Sequence, residues 1–570
     1  MNDSKCLFLI LALAGLSPRP FAGEEVAVDF SAEADASRFL ARATFGATPE
    51  DLEHFLDLGS EAWLAEQIAH RTSELVPEMV GTGCFIELGE TNCPNWVAQL
   101  VQGHMLRTEL WWQRALYAPD QLRQRVAFAL SEIFVVSERG SFIFAYPLLL
   151  ADYHDTLARG AFGTYRDLLE KVTLHPVMGT YLSMVKNQKP NVELGIRPDE
   201  NFAREVMQLF SIGLEMLNPD GTPILDIDGD PVPSYDQDIV VGMAHAMTGW
   251  NFAGTPANSN AAQWMESLGL LGPMEPSPSH HDTNSKVVVT GLEVPAGQSV
   301  EEDLELVLDL LANHPNVGPF LGKLLIQRLV TSNPSPAYVA RISAVFDDDG
   351  NGVRGNLEAV IRAILTDVEA LSGFETMPAT FGKVREPILR LTALMRAFNA
   401  VPQNGLVNLD WAGGALNQGH LDSPSVFNFF LPDFSPIGPI AEADLVAPEM
   451  QITTHAFMNL IGNLLSWMIN DHYIGSDCEG CVAPLLDYED AAEMAADPAV
   501  LIDYLDALLL GGTLHEDSRE AIVEYVASIP LGPKFAQIKE GPSLKPPPGY
   551  ERLMEALYLL VVSPEFAVQK

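Results

Sequence analysis

The sequence predicts a mainly α-helical protein, built as one large helical domain with a short β-hairpin and long loop inserts. Apolar residues recur at helical spacing, with charged faces between them, along most of the 570 residues. No repeat with a period of roughly 20 to 50 residues is visible, and no flexible linker divides the middle of the chain. We therefore predict a single helical array over residues 36–570, with inserts at about 218–236, 253–300 and 400–450.

The chain begins with the features of an exported protein. An apolar run over residues 6–16 follows a short charged start, and small residues near Ala22-Gly23 suit cleavage by a signal peptidase. Residues 1–22 are therefore predicted to be a signal peptide, and residues 23–35 a mobile N-terminal segment. The run is shorter than the roughly 20 apolar residues that span a bilayer. We expect a periplasmic or secreted protein without membrane insertion.

The cysteines predict two disulfides. Of the five cysteines, four follow the predicted signal peptide, as Cys84 with Cys93 and Cys478 with Cys481. An oxidising compartment favours a local disulfide in each pair. A redox-active dithiol needs a strand that leads into a helix, whereas the second pair lies among glycine, serine and aspartate. A zinc site needs two further ligands close by, so structural disulfides are the better interpretation.

The composition is strongly acidic. Lysine and arginine number 33 against 76 aspartates and glutamates, which gives a formal net charge of −43. Such a field repels nucleic acid and anionic membrane surfaces, so we expect no nucleic-acid partner. An extracellular polymer or a partner protein remains compatible with this surface.

Helical spacing extends over most of the chain outside the inserts. The segments predicted to be helices are 36–45, 49–57, 60–70, 97–117, 120–137, 147–159, 164–184, 301–313, 316–331, 335–346, 356–371, 382–399, 451–469, 497–510, 516–528 and 549–561. The aromatic residues concentrated between Trp111 and Tyr146 could form a sugar or peptide platform, but aromatic residues in such helices are more often core. In the first insert the carboxylates alternate with turn residues, which favours ordinary turn chemistry over cation binding.

Two further helices, in the middle of the chain, each carry a narrow polar stripe on an otherwise apolar surface. The polar positions are Asn201, Arg204, Glu205 and Gln208 in the first helix, and Asp238, His245 and Thr248 in the second. Buried charges are tolerated only when they are paired or used in function. We therefore expect the two stripes to face each other, with a loop carrying His281 and Asp282 closing over them.

These polar residues are the candidate catalytic site. Histidine, carboxylate and cation in one cleft are the ingredients of general acid–base catalysis, and the candidates are Arg204, Glu205, His245, His281 and Asp282. Arg204 could hold Glu205 or bind an anionic group of a substrate. The alternative is a buried polar network that fixes the packing of the two helices.

The segment DDDGNGVRGNLE matches the spacing of a calcium-binding loop between two helices. The candidate ligands at loop positions 1, 3, 5, 7 and 12 are Asp347, Asp349, Asn351, Val353 through its carbonyl, and Glu358. Arg354 occupies a position that is usually apolar, so this would be a lone site, and a turn without metal is the alternative. We expect bound calcium to have a structural role.

Several segments resemble the bacterial domain-of-unknown-function 1800 family. They include RPDENFARE at 197–205, the Thr-Gly-Trp that ends at Trp250, His281-Asp282, RFLARATFG at 38–46 and SPSVFNFF at 423–430. The resemblance covers nearly the whole chain after the signal peptide. It implies a mostly helical, exported protein, but no established reaction.

Three functions are compatible with these observations. The first is a hydrolase or lyase that acts on an extracellular polymer through Glu205 and His245. The second is a binding scaffold, braced by calcium, for a glycan, a peptide or a partner protein, and the third is a component of a cell-surface assembly. Motifs of nucleotide-binding proteins, zinc proteases and G-x-S-x-G esterases are missing from the sequence.

Overall fold

The computed structural model describes residues 30–81, 96–139, 142–255, 272–402, 407, 409, 411–470, 484–531 and 549–570. The predicted signal peptide and both cysteine pairs lie outside these residues. Within them the protein is mainly α-helical, with three small two-stranded sheets, and the predicted fold class is confirmed.

The N-terminal third is a helical array. Its helices are α1 Ser31–Ala43, α2 Pro49–Leu58, α3 Ser60–Ala69, α4 Val76–Gly81, α5 Trp96–Tyr117, α6 Gln121–Ser131, α7 Pro147–Gly160, α8 Tyr165–Thr173 and α9 Pro176–Tyr181. The first helix begins at Ser31, so residues 31–35 are helical although the sequence predicted a mobile segment there. The predicted helix at 164–184 is two helices, since Pro176 cannot donate the backbone hydrogen bond that a continuous helix needs.

The middle third holds the two helices with polar stripes and a helical layer that follows them. Its helices are α10 Asn201–Gln208, α11 Gln237–Ala246, α12 Val300–Ala312, α13 Val317–Leu329, α14 Pro336–Asp347, α15 Leu357–Thr366, α16 Val368–Thr376 and α17 Pro387–Ala397. The side chain of Asp367 caps the start of α16 by accepting from the amide of Glu369, and this cap divides the helix predicted at 356–371.

The C-terminal third is helical after a loop-rich stretch. Its helices are α18 Ala412–Leu416, α19 Pro439–Glu442, α20 His455–Asn470, α21 Glu489–Met494, α22 Pro498–Leu505, α23 Glu516–Ala527, α24 Tyr550–Val561 and α25 Pro564–Ala567, and a π-helical turn at Asp506–Leu510 continues α22. Among the described residues, no helix combines the length and apolar character needed to cross a membrane.

The strands pair in three short antiparallel sheets. They are β1 Trp250–Asn251 with β2 Glu275–Pro276, β3 Lys286–Val288 with β4 Leu292–Val294, and β5 Lys383–Val384 with β6 Val568–Gln569. The strand β3 packs closely on α11, because a Cβ at Gly242 would lie 1.7 Å from the carbonyl oxygen of Val287. The sequence predicted a loop insert at 253–300, but β3 and β4 within it pair as strands, and Val288 is fully buried.

The first insert is a turn-rich hairpin, as predicted. Isolated antiparallel bridges join Glu215 to Pro233, Leu217 to Pro223, and Leu225 to Pro231. At its tip, one carboxylate oxygen of Asp226 accepts hydrogen bonds from the amides of residues 228 and 230, at 2.9 and 3.0 Å. The Asp226 carboxylate therefore stabilises the turn through hydrogen bonds, in agreement with the interpretation of these carboxylates as turn residues.

Both ends of the described chain meet at the core. The hydroxyl of Ser37 in α1 donates to the carbonyl of Leu508 at 2.8 Å. At the other end, β6 pairs with β5, and the side-chain amide of Gln569 donates to the carbonyl of Leu329 at 2.8 Å. Gln569 is 2% exposed, so the last residues are part of the packed interior.

The interior contains aromatic and charged side chains. Trp111, Phe128 and Phe134 are at most 1% exposed, which confirms their prediction as core. The ammonium of Lys383, fully buried, lies 3.2 Å from Glu449 and 3.4 Å from Glu386. Paired cations of this kind are what allow carboxylates to stay inside a protein.

Candidate functional site

The helices α10 and α11 pack against each other. That their polar stripes face each other stays a prediction. Arg204, however, does not bind Glu205. Its Nη2 lies 3.1 Å from Glu200 and 3.1 Å from the side-chain oxygen of Gln237, and its side chain is 39% exposed. Of the two roles considered for Arg204, the one in which it holds Glu205 is therefore wrong, because residues 200 and 204 share one helix face and the start of α11 lies beside it.

Glu205 points the other way and is buried. The residue is 6% exposed, and among the described residues nothing donates a hydrogen bond to its Oε2. Burial raises the pKa of this carboxyl group, and the charge of Arg204 opposes the shift only in part. The hydroxyl of Tyr235, whose pKa is also raised by burial and by Glu205, is likewise buried without a partner in the described residues. Glu205 is thus a carboxyl group whose surroundings favour the protonated form.

The clearest chemical pair joins the end of α11 to the loop after β2. Nδ1 of His245 lies 2.5 Å from Oδ2 of Asp282. The carboxylate is oriented from the other side by Asn284, whose amide nitrogen and side-chain nitrogen donate to Oδ1 at 3.0 and 2.7 Å. Burial opposes ionisation of Asp282, but the hydrogen bonds from His245 and Asn284 outweigh it and lower the pKa of this carboxyl group. The carboxylate is therefore a fixed anion beside the imidazole.

The other face of the imidazole is accessible. The His245 side chain is 25% exposed, while Asp282 is 3% exposed. Its Nε2 makes no hydrogen bond to another described residue. A histidine whose Nδ1–H is held by a buried carboxylate presents the Nε2 lone pair to whatever occupies the space in front of it.

Thr248 and Gly249 hold this pair in place. The hydroxyl of Thr248 donates to the carbonyl of His245 at 2.7 Å and accepts from the amide of Asp282 at 2.9 Å. Gly249 has φ +89°, and a Cβ there would lie 2.8 Å from the Cβ of His281. A glycine is therefore needed both for the backbone conformation and for the close approach of the loop.

Whereas His245 is partly exposed, His281 is buried. Its Nδ1 is 2.8 Å from the carbonyl oxygen of Thr248, and its Nε2 is 3.1 Å from Asp303, with 1% of its side chain exposed. Lys286 also contacts Asp303 and donates to the carbonyl of Asp282 at 2.5 Å. These buried contacts brace the loop, so His281 supports the site and does not face solvent.

A cleft is lined by residues of the segments 186–188, 250–255 and 275–280, the last two of which neighbour His245 and Asp282 in the sequence, although neither His245 nor Asp282 lines it. It consists of two adjoining cavities of about 140 and 300 Å³ that share Asn251 and Ser277. The narrower cavity is lined by Lys186, Gln188, Trp250, Asn251, Ser277 and His280. We call it the narrow cavity, and its neighbour the wide cavity.

The residues of the site and of the cleft all lie in the part of the chain that one family model matches. A model of the family described as "Protein of unknown function (DUF1800)" matches residues 38–568. The chain belongs to the DUF1800 family. No curated protein and no solved structure matches it. The resemblance expected from the sequence is therefore confirmed over nearly the whole chain.

Sequence reasoning did not identify the cleft of this DUF1800 protein. No sequence motif marks Lys186 or Ser277 as residues of a cleft. Their proximity depends on backbone features invisible in the sequence, such as the positive φ angles of Ser183 and Lys186, 61° and 60°. The Thr-Gly-Trp of the family resemblance was the available signal, since Trp250 lines the narrow cavity.

The predicted calcium loop of this DUF1800 protein is held by internal contacts. Asp347 pairs with Arg354, and Oδ1 of Asp349 accepts from the amides of Asn351 and Val353 at 2.8 and 3.1 Å. Glu358 lies 4.0 Å from a guanidinium nitrogen of residue 362. In the described part of the chain, no three His, Cys, Asp or Glu residues are grouped so as to hold a metal ion. Calcium would require Asp347 to leave Arg354, and the site remains a prediction.

Proposed function

We propose that this DUF1800 protein is an exported hydrolase or lyase that acts on an extracellular polymer, with His245 as its general base. The observation that carries the proposal is the 2.5 Å contact between Nδ1 of His245 and the buried Asp282, together with the 25% exposure of the His245 side chain. A histidine held in this way is a recurring base in enzymes that activate water or remove a proton from carbon.

Asp282 performs two tasks in this mechanism. It keeps the proton of the neutral imidazole on Nδ1, so that the lone pair lies on Nε2. It then stabilises the imidazolium ion that forms when Nε2 takes a proton. In a hydrolase that proton comes from water, which attacks the polymer bond, and in a lyase it comes from a carbon next to a carbonyl group.

Glu205 is the candidate general acid. Burial raises its pKa, so the carboxyl group retains a proton at a higher pH than an exposed glutamate. It lies on α10, which packs against the helix that carries His245. A general acid of this kind donates its proton to the leaving oxygen of the polymer.

The experiment measures turnover with purified protein and a panel of extracellular polysaccharides and polyesters. New reducing or carboxyl ends indicate a hydrolase, and an absorbing double bond at the new end indicates a lyase. His245→Gln and Asp282→Asn should each lower kcat about 10²- to 10⁴-fold, the usual contribution of a general base. His54→Gln is the matched control, because His54 is a surface histidine whose imidazole, like that of His245, contacts a carboxylate, here that of Glu66. Turnover that survives His245→Gln would refute the assignment.

A non-catalytic binding scaffold is the second candidate. The cleft favours it, because two adjoining cavities beside a braced loop suit the retention of a ligand without any chemical step. The ligand would be a glycan, a peptide or a partner protein, as in a component of a cell-surface assembly. Binding without turnover, equal in wild type and His245→Gln, would favour the scaffold over the enzyme.

A further inference from the structure

Two buried histidines contact each other in the core. Nδ1 of His154, on α7, lies 3.0 Å from Nε2 of His420, which follows α18 in the loop-rich stretch. The rings meet edge to face, with centroids 4.7 Å apart and planes at 83°. His154 is fully buried, and His420 is 5% exposed. Two ring nitrogens share one hydrogen in such a contact, so one of them donates and the other accepts.

The opposite side of His154 determines which nitrogen donates. Its Nε2 lies 3.1 Å from Oε1 of Gln124, whose side-chain nitrogen donates to Asp120 at 3.0 Å and to the carbonyl of Ser73 at 3.2 Å. A carboxylate and a carbonyl only accept, so the amide of Gln124 cannot be turned round, and its oxygen faces His154. The proton of His154 is therefore on Nε2, and its Nδ1 accepts from the Nε2–H of His420.

The remaining nitrogen of His420 faces a cation. Its Nδ1 lies 3.4 Å from Nη1 of Arg107, and a guanidinium group can only donate. Trp111 stacks on the imidazole of His420, with centroids 4.8 Å apart and planes at 10°. The hydrogen bonds therefore run in one direction, from Arg107 through His420 and His154 to Gln124.

A further proton has no place in this chain of hydrogen bonds. On His420 it would put Nδ1–H against the guanidinium group of Arg107, and on His154 it would put Nδ1–H against the N–H of His420. Burial lowers the pKa of His154 to about 3, and the charges of Arg107 and Arg114 add to this shift while Asp120 opposes it. Burial, His154 and Arg107 lower the pKa of His420 as well.

The acidic groups around the two histidines have other partners. Glu138, which follows α6, lies 2.8 Å from Arg107 and 3.1 Å from His104. Asp120, which precedes α6, accepts from the amide of Ser73 at 3.0 Å as well as from Gln124. Among the described residues neither carboxylate contacts the imidazole of His154 or His420. An imidazolium ion there would lack a counter-ion at contact distance.

The segment 417–428, which carries His420, contains strained backbone. Its left-handed φ angles are 54°, 57° and 65°, at Asn417, Leu421 and Asn428. Leu421 adjoins His420, and a leucine rarely adopts this conformation. The amide of Glu138 donates to the carbonyl of Leu421 at 3.0 Å and helps to hold it there. Strained backbone of this kind persists only while the surrounding contacts persist, so loss of the histidine contact favours release of the segment.

We propose that the His154–His420 contact is an acid-sensitive latch, which holds the segment 417–428 on the core at neutral pH and releases it in acid. In the closed state both imidazoles are neutral, whereas in the opened state His420 reaches water and takes up a proton. The opened state binds one more proton than the closed state below the ordinary pKa of 6.5, so acid shifts the equilibrium towards opening. The latch contains neither His245 nor Asp282, and the inference is independent of the proposed hydrolase or lyase activity.

The test is hydrogen–deuterium exchange of the purified protein between pH 7.5 and pH 5, read by mass spectrometry and corrected for the intrinsic pH dependence of amide exchange. In the wild type the opening constant of peptides from 417–428 should rise about tenfold per pH unit below the ordinary pKa of 6.5, because opening takes up one proton. His420→Gln should abolish this rise, since the glutamine amide still donates to His154 but cannot be protonated. His455→Gln is the control, because His455 is an exposed histidine at the start of α20.

Three results would overturn the inference: an opening constant of 417–428 that is independent of pH, a rise that persists in His420→Gln, or a rise shared equally by peptides of the core helices, which would mean that acid acts on global unfolding. Thermal melts at pH 7.5 verify that the variants are folded. A second measurement needs no variant, since ¹⁵N NMR of histidine-labelled wild type at pH 5 should show at least two of the 13 histidines as neutral Nε2–H tautomers. Imidazolium signals for every histidine would contradict the latch.

Discussion

Glu205→Gln should stabilise this protein at neutral pH. The carboxyl group is 6% exposed, nothing among the described residues donates to its Oε2, and Arg204 binds Glu200 instead. A buried polar atom without a partner costs about 1–3 kcal/mol, and an ionised one costs more. Glutamine keeps the shape and removes the charge, so we expect a gain on the order of 1 kcal/mol. If Glu205 instead formed a buried ion pair, the same change would cost about 3–5 kcal/mol.

The pH dependence of this effect sharpens the prediction. Because burial raises the pKa of Glu205 above the ordinary value of 4.5, the folded state retains a proton that the unfolded state has already lost. The free energy of unfolding of the wild type therefore falls, relative to the glutamine variant, as the pH rises from 4.5 through the pKa of the folded state. Below pH 4.5 the carboxyl group of Glu205 is protonated in both the folded and the unfolded state, so the wild type and the glutamine variant should be nearly equal in stability.

The assay is urea denaturation at pH 4 and pH 7, supported by thermal melts. For a chain of this length 1 kcal/mol shifts the melting temperature by only about 1 °C, so the free energy of unfolding is taken from fits of the complete urea curves. Glu200→Gln is the matched control on the same helix. It breaks the exposed pair with Arg204 and should change the stability by less than about 1 kcal/mol. Destabilisation by Glu205→Gln at pH 7 would refute the reasoning.

Three other predictions concern the rest of the chain. Lys383→Met should destabilise the protein by about 3–5 kcal/mol, because it leaves the carboxylates of Glu386 and Glu449 buried without their cation, and an unchanged urea midpoint would contradict this. If the predicted loop binds calcium, a chelator should lower the melting temperature and Glu358→Gln should abolish that response, whereas identical melts of metal-free and calcium-loaded protein would leave a plain turn. N-terminal sequencing of protein from the periplasm or medium should find a start near Gly23, and an intact Met1 on cytoplasmic protein would disprove export.

Much of the helical array could be predicted from the sequence, because helical spacing of apolar residues is a strong local signal. The predicted helices at 49–57 and 516–528 differ from α2 and α23 by one residue at one end. Local chemistry at the ends was harder to foresee. Pro176 and the cap at Asp367 each divide a continuous pattern, since they act on single backbone hydrogen bonds that a periodic pattern does not register.

The candidate site could be predicted only in part. The stripes located the right residue types on two packed helices, and His245 and Asp282 do meet. The direction of the Arg204 side chain was missed because Glu200, the N-cap residue four positions earlier, competes with the adjacent Glu205 for the guanidinium group. The cleft was missed because Lys186, Trp250 and Ser277 come from segments far apart in sequence, joined by backbone contacts that no local pattern records.

The pairing of β6 with β5 affects when the core can fold relative to the proposed export. The residues that complete β5 and cover Leu329 lie far from both in the sequence, and α1 packs against the distant π-helical turn. A nascent chain that lacks these residues therefore cannot close its core, and long-range contacts of this kind form slowly. For a protein exported as proposed, delayed closure keeps the polypeptide unfolded and able to pass through a narrow translocation channel. The pairing of β5 with β6 would then delay folding of the core until both strands had crossed.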